Sequence, residues 1–136
     1  MPFKFERLEV WQLALEHIDL IYRVSDQLPR SEEHNLKSQM VRAATSVALN
    51  IAEGSTGQTD SEQARSLGMA MRTVLETVAC LHIIRRRGFV QDATSLDRAY
   101  QHADLLVAKL QSMRRSIAPD QSWIREESTA YAAEVV

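Results

Sequence analysis

Between Leu36 and Gly54 the chain carries two stripes of opposite character. Leu36, Met40, Ala43, Ala44, Val47 and Ile51 form an apolar one, and Gln39, Arg42, Ser46, Asn50 and Glu53 a polar one. Steps of three and four residues stack side chains on one side of a helix, so this segment is a helix with two unlike faces. The apolar face has to be covered by the rest of the chain. The polar face is left to meet something else. Gly54 is expected to close the helix, because glycine takes left-handed C-cap angles without strain.

The flanking sequence can supply that cover as further helices. Only four glycines and three prolines occur in 136 residues, which is little turn material for many short strands and enough for a few long helices. A first helix is expected over about 5–27, with Leu8, Trp11, Leu15, Ile18 and Tyr22 as a heptad-like core seam. Val10, Leu13, Leu20, Ile21 and Val24 widen it, and Leu28-Pro29-Arg30 breaks it. The second helix is expected over about 31–53, with Ser31 as N-cap and Glu32 and Glu33 set against the helix dipole. Thr59-Asp60-Ser61-Glu62 reads as a capping box opening a third over about 60–87, which stops at Gly88. Its core positions are Leu67, Met71, Val74, Val78 and Leu81. A fourth, over about 94–117, repeats Leu96, Ala99, Ala103, Leu106, Leu110, Met113 and Ile117, and Pro119 ends it. Residues 1–118 thus read as one all-α domain, an up-down-up-down antiparallel four-helix bundle. Residues 119–136 read as an acidic, loosely ordered C-terminal tail.

Charge narrows the function classes. A net charge of −2 argues against a generic nucleic-acid-binding domain, which is usually basic. The distribution is uneven. Residues 1–60 hold six basic against nine acidic side chains, residues 61–118 nine against five, and the tail one against four. A basic second half beside an acidic tail points to an anionic partner, or to a tail that competes with one. The single Cys80 lies among Val78, Ala79 and Leu81, so a buried, inert thiol in a reducing cytoplasm is expected. The N-terminus, Met-Pro-Phe-Lys-Phe-Glu, lacks an apolar signal core. No uninterrupted apolar run approaches the ~20 residues that span a bilayer, so no membrane partner and a cytoplasmic location are expected.

Several motifs then converge on one family. They are Leu8-x-x-Trp11-x-x-Ala14, Tyr22, Leu28-Pro29, Glu33 and Leu36-x-x-Gln39, followed by Arg42-Ala43-Ala44-x-Ser46-Val47-x-x-Asn50-Ile51-Ala52-Glu53-Gly54. Leu67-x-x-Ala70-x-x-Thr73-x-x-Glu76 and Gly88-Phe89-Val90 continue the pattern. Over about residues 5–117 the chain resembles the 23S rRNA intervening-sequence proteins. These four-helix bundles are related to the accessory variability proteins of diversity-generating retroelements. The resemblance implies an all-helical protomer that assembles into a ring, typically a homopentamer. In the retroelement branch it implies a basic ring that binds a reverse transcriptase and nucleic acid. The chain departs from that pattern in three respects. Ser55-Thr56-Gly57-Gln58 stands where an arginine often follows the Ala-Glu-Gly turn, Arg72-Thr73 replaces a small Gly-Ser pair, and the overall charge is acidic.

The polar stripe has two readings. Gln39, Arg42, Ser46, Asn50 and Glu53, joined by Glu76, make either a ligand or RNA contact surface or a subunit interface. The interface is preferred, with Arg42 paired to Glu76 or Glu53, because buried charges need partners and polar interface groups fix register and oligomeric state. Arg85, Arg86 and Arg87, with Arg114 and Arg115, have the chemistry for phosphate contacts. Each cluster nevertheless stands in a last helical turn, where the dipole favours cations, and consecutive antiparallel helices end at opposite poles. His17, His34, His82 and His102 show no His-x-x-x-His spacing, and neither Glu-x-x-His nor a Walker loop occurs. No metal, cofactor or small-molecule substrate is therefore expected. The expected function is a non-enzymatic, homo-oligomeric, pentameric scaffold or adaptor that engages itself and a ribonucleoprotein or reverse-transcriptase-like partner. Direct RNA or DNA binding through the helix-end arginines is the alternative, and a helical ribonuclease using Arg98 and His102 the remaining enzymatic reading.

Overall fold

Capping chemistry decides where each helix starts, and in two of the four it works differently from the expectation. A computed structural model describes residues 2–57 and 59–118. It contains α1 (Glu9–Ser25), α2 (Leu36–Ser55), α3 (Asp60–Arg87) and α4 (Ala93–Ile117), with short 3-10 turns at Lys4–Arg7 and Arg30–Glu32. The first helix begins at Glu9 rather than Phe5 because the preceding residues close a tight turn of their own. In that turn the Phe3 N–H donates to Glu6 Oε1 at 3.1 Å, and Phe5 packs edge-on to Trp11 with ring centroids 4.7 Å apart. The second helix begins at Leu36 rather than Ser31. Pro29 leads into the Arg30–Glu32 turn, and Asn35, not Ser31, is the N-cap. The Asn35 side chain donates to Glu32 Oε1 at 2.9 Å, so it orders the turn and leaves the helix start without a side-chain cap.

The other two helices start and stop as their sequences dictate. The Glu62 N–H donates to Thr59 Oγ1 at 3.1 Å, the first half of the expected capping box. The Thr94 N–H donates to Asp92 Oδ1 at 3.0 Å and starts α4. Gly88, at φ 68°, is the left-handed stop of α3. A Cβ there would meet nothing within 4 Å, so Gly88→Ala isolates the backbone term. It should lower stability by about 1–2 kcal/mol in urea titration, the cost of a left-handed L-residue. Gly54 does not play this part. It is helical and buried inside α2, and a Cβ on it would stand 2.7 Å from Ser66 Cβ on α3. Close approach of two helices, not a turn, is what requires glycine there.

Two apolar clusters stack along the bundle. One gathers Val10 and Ala14 of α1, Val47 and Ile51 of α2, Leu67 and Val74 of α3, and Leu106 and Leu110 of α4. The other gathers Ile21 and Val24, Leu36 and Met40, Leu81 and Ile84, and Leu96 and Ala99 of the same helices. Each cluster combines the beginnings of two helices with the ends of two others, which is the antiparallel order. Contacts run from α1 to α2, α2 to α3, α3 to α4 and α4 back to α1.

The expected core of α2 is buried throughout, but that of α1 is displaced by one position. The inward stripe is Val10, Ala14, His17, Ile21 and Val24. The Leu8–Tyr22 seam lies beside it, with Leu15 37% and Tyr22 44% exposed. Val78 of α3 and Met113 and Ile117 of α4 are half-buried rather than central. By length and composition α3 is apolar enough to cross a membrane, contrary to the reading of its sequence, yet half of that stretch is buried inside the bundle. Arg72 and Glu76 interrupt it, and a core helix of a bundle has this composition. Pro119 and the tail expectation lie outside the described residues.

Candidate functional site

The α2 stripe runs along the flank of α2 next to α3, the side on which Gly54 meets Ser66. Gln39, Arg42, Glu53 and Glu76 are exposed, while Ser46 and Asn50 are half-buried. Asn50 Nδ2 donates to the Ser46 carbonyl at 3.0 Å and to Ser46 Oγ at 3.2 Å, so these two satisfy each other within one turn. Arg42 Nη2 donates to Ser38 Oγ at 3.5 Å. Within the protomer it forms no ion pair with Glu53 or Glu76, because an exposed guanidinium is solvated and has no need of one. Three apolar side chains missed in the sequence lie among these polar groups. Leu49 is 55% exposed, and Met69 and Ile83 are each 47% exposed. Their spacing was the available signal: Leu49 stands seven residues from Arg42, and Met69, Glu76 and Ile83 repeat at seven. Heptad spacing along two packed helices produces one mixed face.

The arginines of the two helix-end clusters differ in their surroundings. Arg85 is ion-paired to Asp97 of α4, and the Arg87 guanidinium lies 5.6 Å from the Phe89 ring centroid. Arg114 is only 6% exposed, which withdraws it from any surface contact. It continues the inward stripe of Leu106 and Leu110 by one more turn. Gly68 of α3 makes room for it: a Cβ at that position would stand 2.8 Å from Arg114 Nη1. Arg114 Nη2 donates to Gln111 Oε1 at 2.7 Å. Burial lowers its pKa from the ordinary arginine value, and Arg115 and Arg72 add repulsion.

A polar layer between the two apolar clusters was also missed. His17 is fully buried. The Thr77 hydroxyl donates to the Val74 carbonyl at 2.6 Å and accepts from His17 Nε2–H at 3.0 Å. That assignment places the ring's lone pair on Nδ1, which is buried with no hydrogen-bond partner. His102 lies nearly parallel to it, 6.4 Å between centroids, and its Nε2–H donates to the Leu13 carbonyl at 2.8 Å. Burial, and then the neighbouring His102, lower the His17 pKa to about 4. Its three- and four-residue steps to Ala14 and Ile21 marked the inward position. Cys80 is buried as expected, its thiol pKa raised by desolvation and by Glu76. Among the described residues no three His, Cys, Asp or Glu side chains converge as a metal site.

These elements meet a known pattern. The profile of the 23S rRNA-intervening sequence protein family matches residues 6–112. The chain belongs to that family. The intervening-sequence family match takes in the whole α2/α3 face and the His17 layer and stops short of Arg114 and Arg115. A protein with unknown function from the S23 ribosomal protein family of Bacteroides thetaiotaomicron, known from a crystal structure, has a similar fold. Its TM-score is 0.71 at 20% identity, covering 78% of this chain and 98% of that one. No curated protein matches the chain.

Proposed function

We propose that this intervening-sequence family member is a non-enzymatic homo-oligomeric scaffold whose subunits meet through the α2/α3 face. One observation carries the reading: Leu49, Met69 and Ile83 stand exposed among Arg42, Glu53 and Glu76. Apolar side chains ringed by polar ones on paired helices are the composition of an interface, with burial for affinity and charges for register. The two partners suggested for Arg42 then come from a neighbouring copy. A copy number of five, and a ribonucleoprotein-type client held by the assembly, are carried over from the family resemblance alone.

Light scattering on the purified chain tests this. The expected mass is a multiple of 15.4 kDa. Leu49→Glu and Arg42→Ala should each shift it toward smaller species. Both positions are exposed, so the helical circular dichroism should hold while the mass falls. A monomeric parent chain, or a mass that neither substitution changes, refutes the interface.

A further inference from the structure

A second flank of the bundle also leaves large apolar side chains uncovered. Leu15 and Tyr22 of α1 are exposed. The side of α1 turned to α4 is marked by Glu9, paired to Lys109, and by the Leu13 carbonyl, which accepts from His102. Leu15 and Tyr22 lie away from that side, on the seam of Trp11 and Ile18. The Lys4–Arg7 turn touches α2 and its Phe5 packs on Trp11, so this seam is the side of α1 next to α2. Arg42 and Leu49 form the exposed crest of α2, with half-buried Ser46 and Asn50 on its α3 flank and half-buried Val41 and Ala52 on the other. The crest therefore borders two grooves at once. Thr45, beside it, donates its hydroxyl to the Val41 carbonyl at 2.9 Å, which leaves a methyl group to the groove between α1 and α2.

The core fixes the level of each exposed group along the bundle. Leu15, Leu49 and Met69 adjoin Ala14, Ala48 and Ala70, all in the first apolar cluster. Tyr22 and Ile83 adjoin Ile21 and Ile84, both in the second. Gly54 meets Ser66 and the two helices are antiparallel, so Glu76, ten residues on from Ser66, is level with Ala44, two residues from Arg42. The outer crest of α3 thus reads apolar, acidic, apolar: Met69, Glu76, Ile83. At the same levels the walls of the α1/α2 groove read apolar, basic, apolar: Leu15 with Leu49, then Arg42, then Tyr22. Met69 to Glu76, Glu76 to Ile83, Leu15 to Tyr22 and Arg42 to Leu49 are all steps of seven, about 10 Å along a helix.

We propose that the α3 crest of one copy docks in the α1/α2 groove of the next, with Met69 against Leu15 and Leu49, Glu76 against Arg42, and Ile83 against Tyr22. The proposal rests on the α2/α3 face being a subunit contact, and it names the surface which that face meets. An assembly axis along the helices keeps every residue at its own level, so the match requires no sliding of one bundle past another. Crest and groove are different surfaces, and each copy offers one of each, so the contact runs head to tail. The α1/α2 and α2/α3 flanks of a four-helix bundle look out roughly at right angles. Successive contacts therefore turn and close after a few copies instead of continuing as a filament.

Mixing two variants of the full chain tests the docking. Tyr22→Glu spoils the groove and Ile83→Glu the crest, and both side chains are exposed, so the helical circular dichroism should hold. Each variant alone should fall to the mass of a single chain in light scattering. In an equimolar mixture they should pair one to one, because each keeps the surface the other has lost, and the mass should be about twice 15.4 kDa. Two monomeric variants that stay apart on mixing overturn the proposal. A Tyr22→Glu chain at the parent mass, beside an Ile83→Glu chain that has lost it, overturns the groove and leaves the α2/α3 contact standing. A monomeric parent overturns both. Charge exchange gives a second measure: Arg42→Glu and Glu76→Arg should each lower the mass, and R42E/E76R in one chain should restore it. A double variant no larger than the single ones overturns the docking.

Discussion

Acidifying the protein from about pH 7 to about pH 4 should remove about 3 kcal/mol of folding stability through His17 alone. The imidazole titrates near 6.5 in the unfolded chain and near 4 in the folded one. Between those values the unfolded state binds a proton that the native state refuses. The stabilisation is therefore complete above about 6.5 and declines as pH falls through the window toward 4. The physical obstacle is visible in the geometry. Nε2–H is committed to Thr77, so the incoming proton must go to Nδ1, which is buried and faces no acceptor. His102 lies nearly parallel beside it, and that ring's Nε2 stands 3.8 Å from Glu16 Oε2. Every buried residue of α2 is apolar, and the buried titratable group of α3, Cys80, is held protonated. Among the described residues none accepts a hydrogen bond from Nδ1. Urea titrations at several pH values, on the parent chain and on His17→Leu, check this. The substitution should flatten the slope between pH 4 and 6.5, because Thr77 keeps its bond to Val74. Parallel slopes in the two proteins would exclude His17 as the source.

Gly54→Val should destabilise by about 3 kcal/mol or more, at the upper end of what overpacking costs. Alanine at the same site sets two effects against each other. Alanine is better than glycine in a helix interior by roughly 0.5–1 kcal/mol. Its Cβ, however, would stand 2.7 Å from Ser66 Cβ, which forces α2 and α3 apart at about 1–3 kcal/mol. The clash should win. Ser66→Gly in the same chain removes the colliding atom, so G54A/S66G should be more stable than the sum of its single substitutions. Strict additivity in thermal unfolding would show that the two helices do not meet through this pair.

These residues also show where sequence reasoning succeeds. The α2 stripes, the Thr59 cap and the Gly88 stop were legible because each is a local matter of periodicity or backbone angle. The failures share a different cause. Gly54 and Gly88 look alike in sequence, and only the neighbouring helix distinguishes a contact glycine from a turn glycine. On α1 two apolar stripes run side by side, and the choice between them belongs to α2 and α4. Arg114 looks like a solvated helix end until Gly68, 46 positions away in the chain, is seen to make room for it. His17 and His102 are separated by 85 positions, and no spacing rule couples them. Of the candidate face, the polar residues are marked by their spacing, but the apolar ones were hidden because exposure is decided by what the fold leaves uncovered.

The Glu9–Lys109 pair fastens the start of the first helix to the closing turns of the last. The start of α1 and the last turns of α4 are thereby neighbours at a single pole, and the connections around Pro29 and Gly88 cap the opposite one. A peptide joining the end of α4 to the start of α1, with a new break placed between Phe89 and Asp92, would leave every helix pair intact. The bundle is thus a candidate for circular permutation, and the pole at Gly88 offers a place to splice in a second domain.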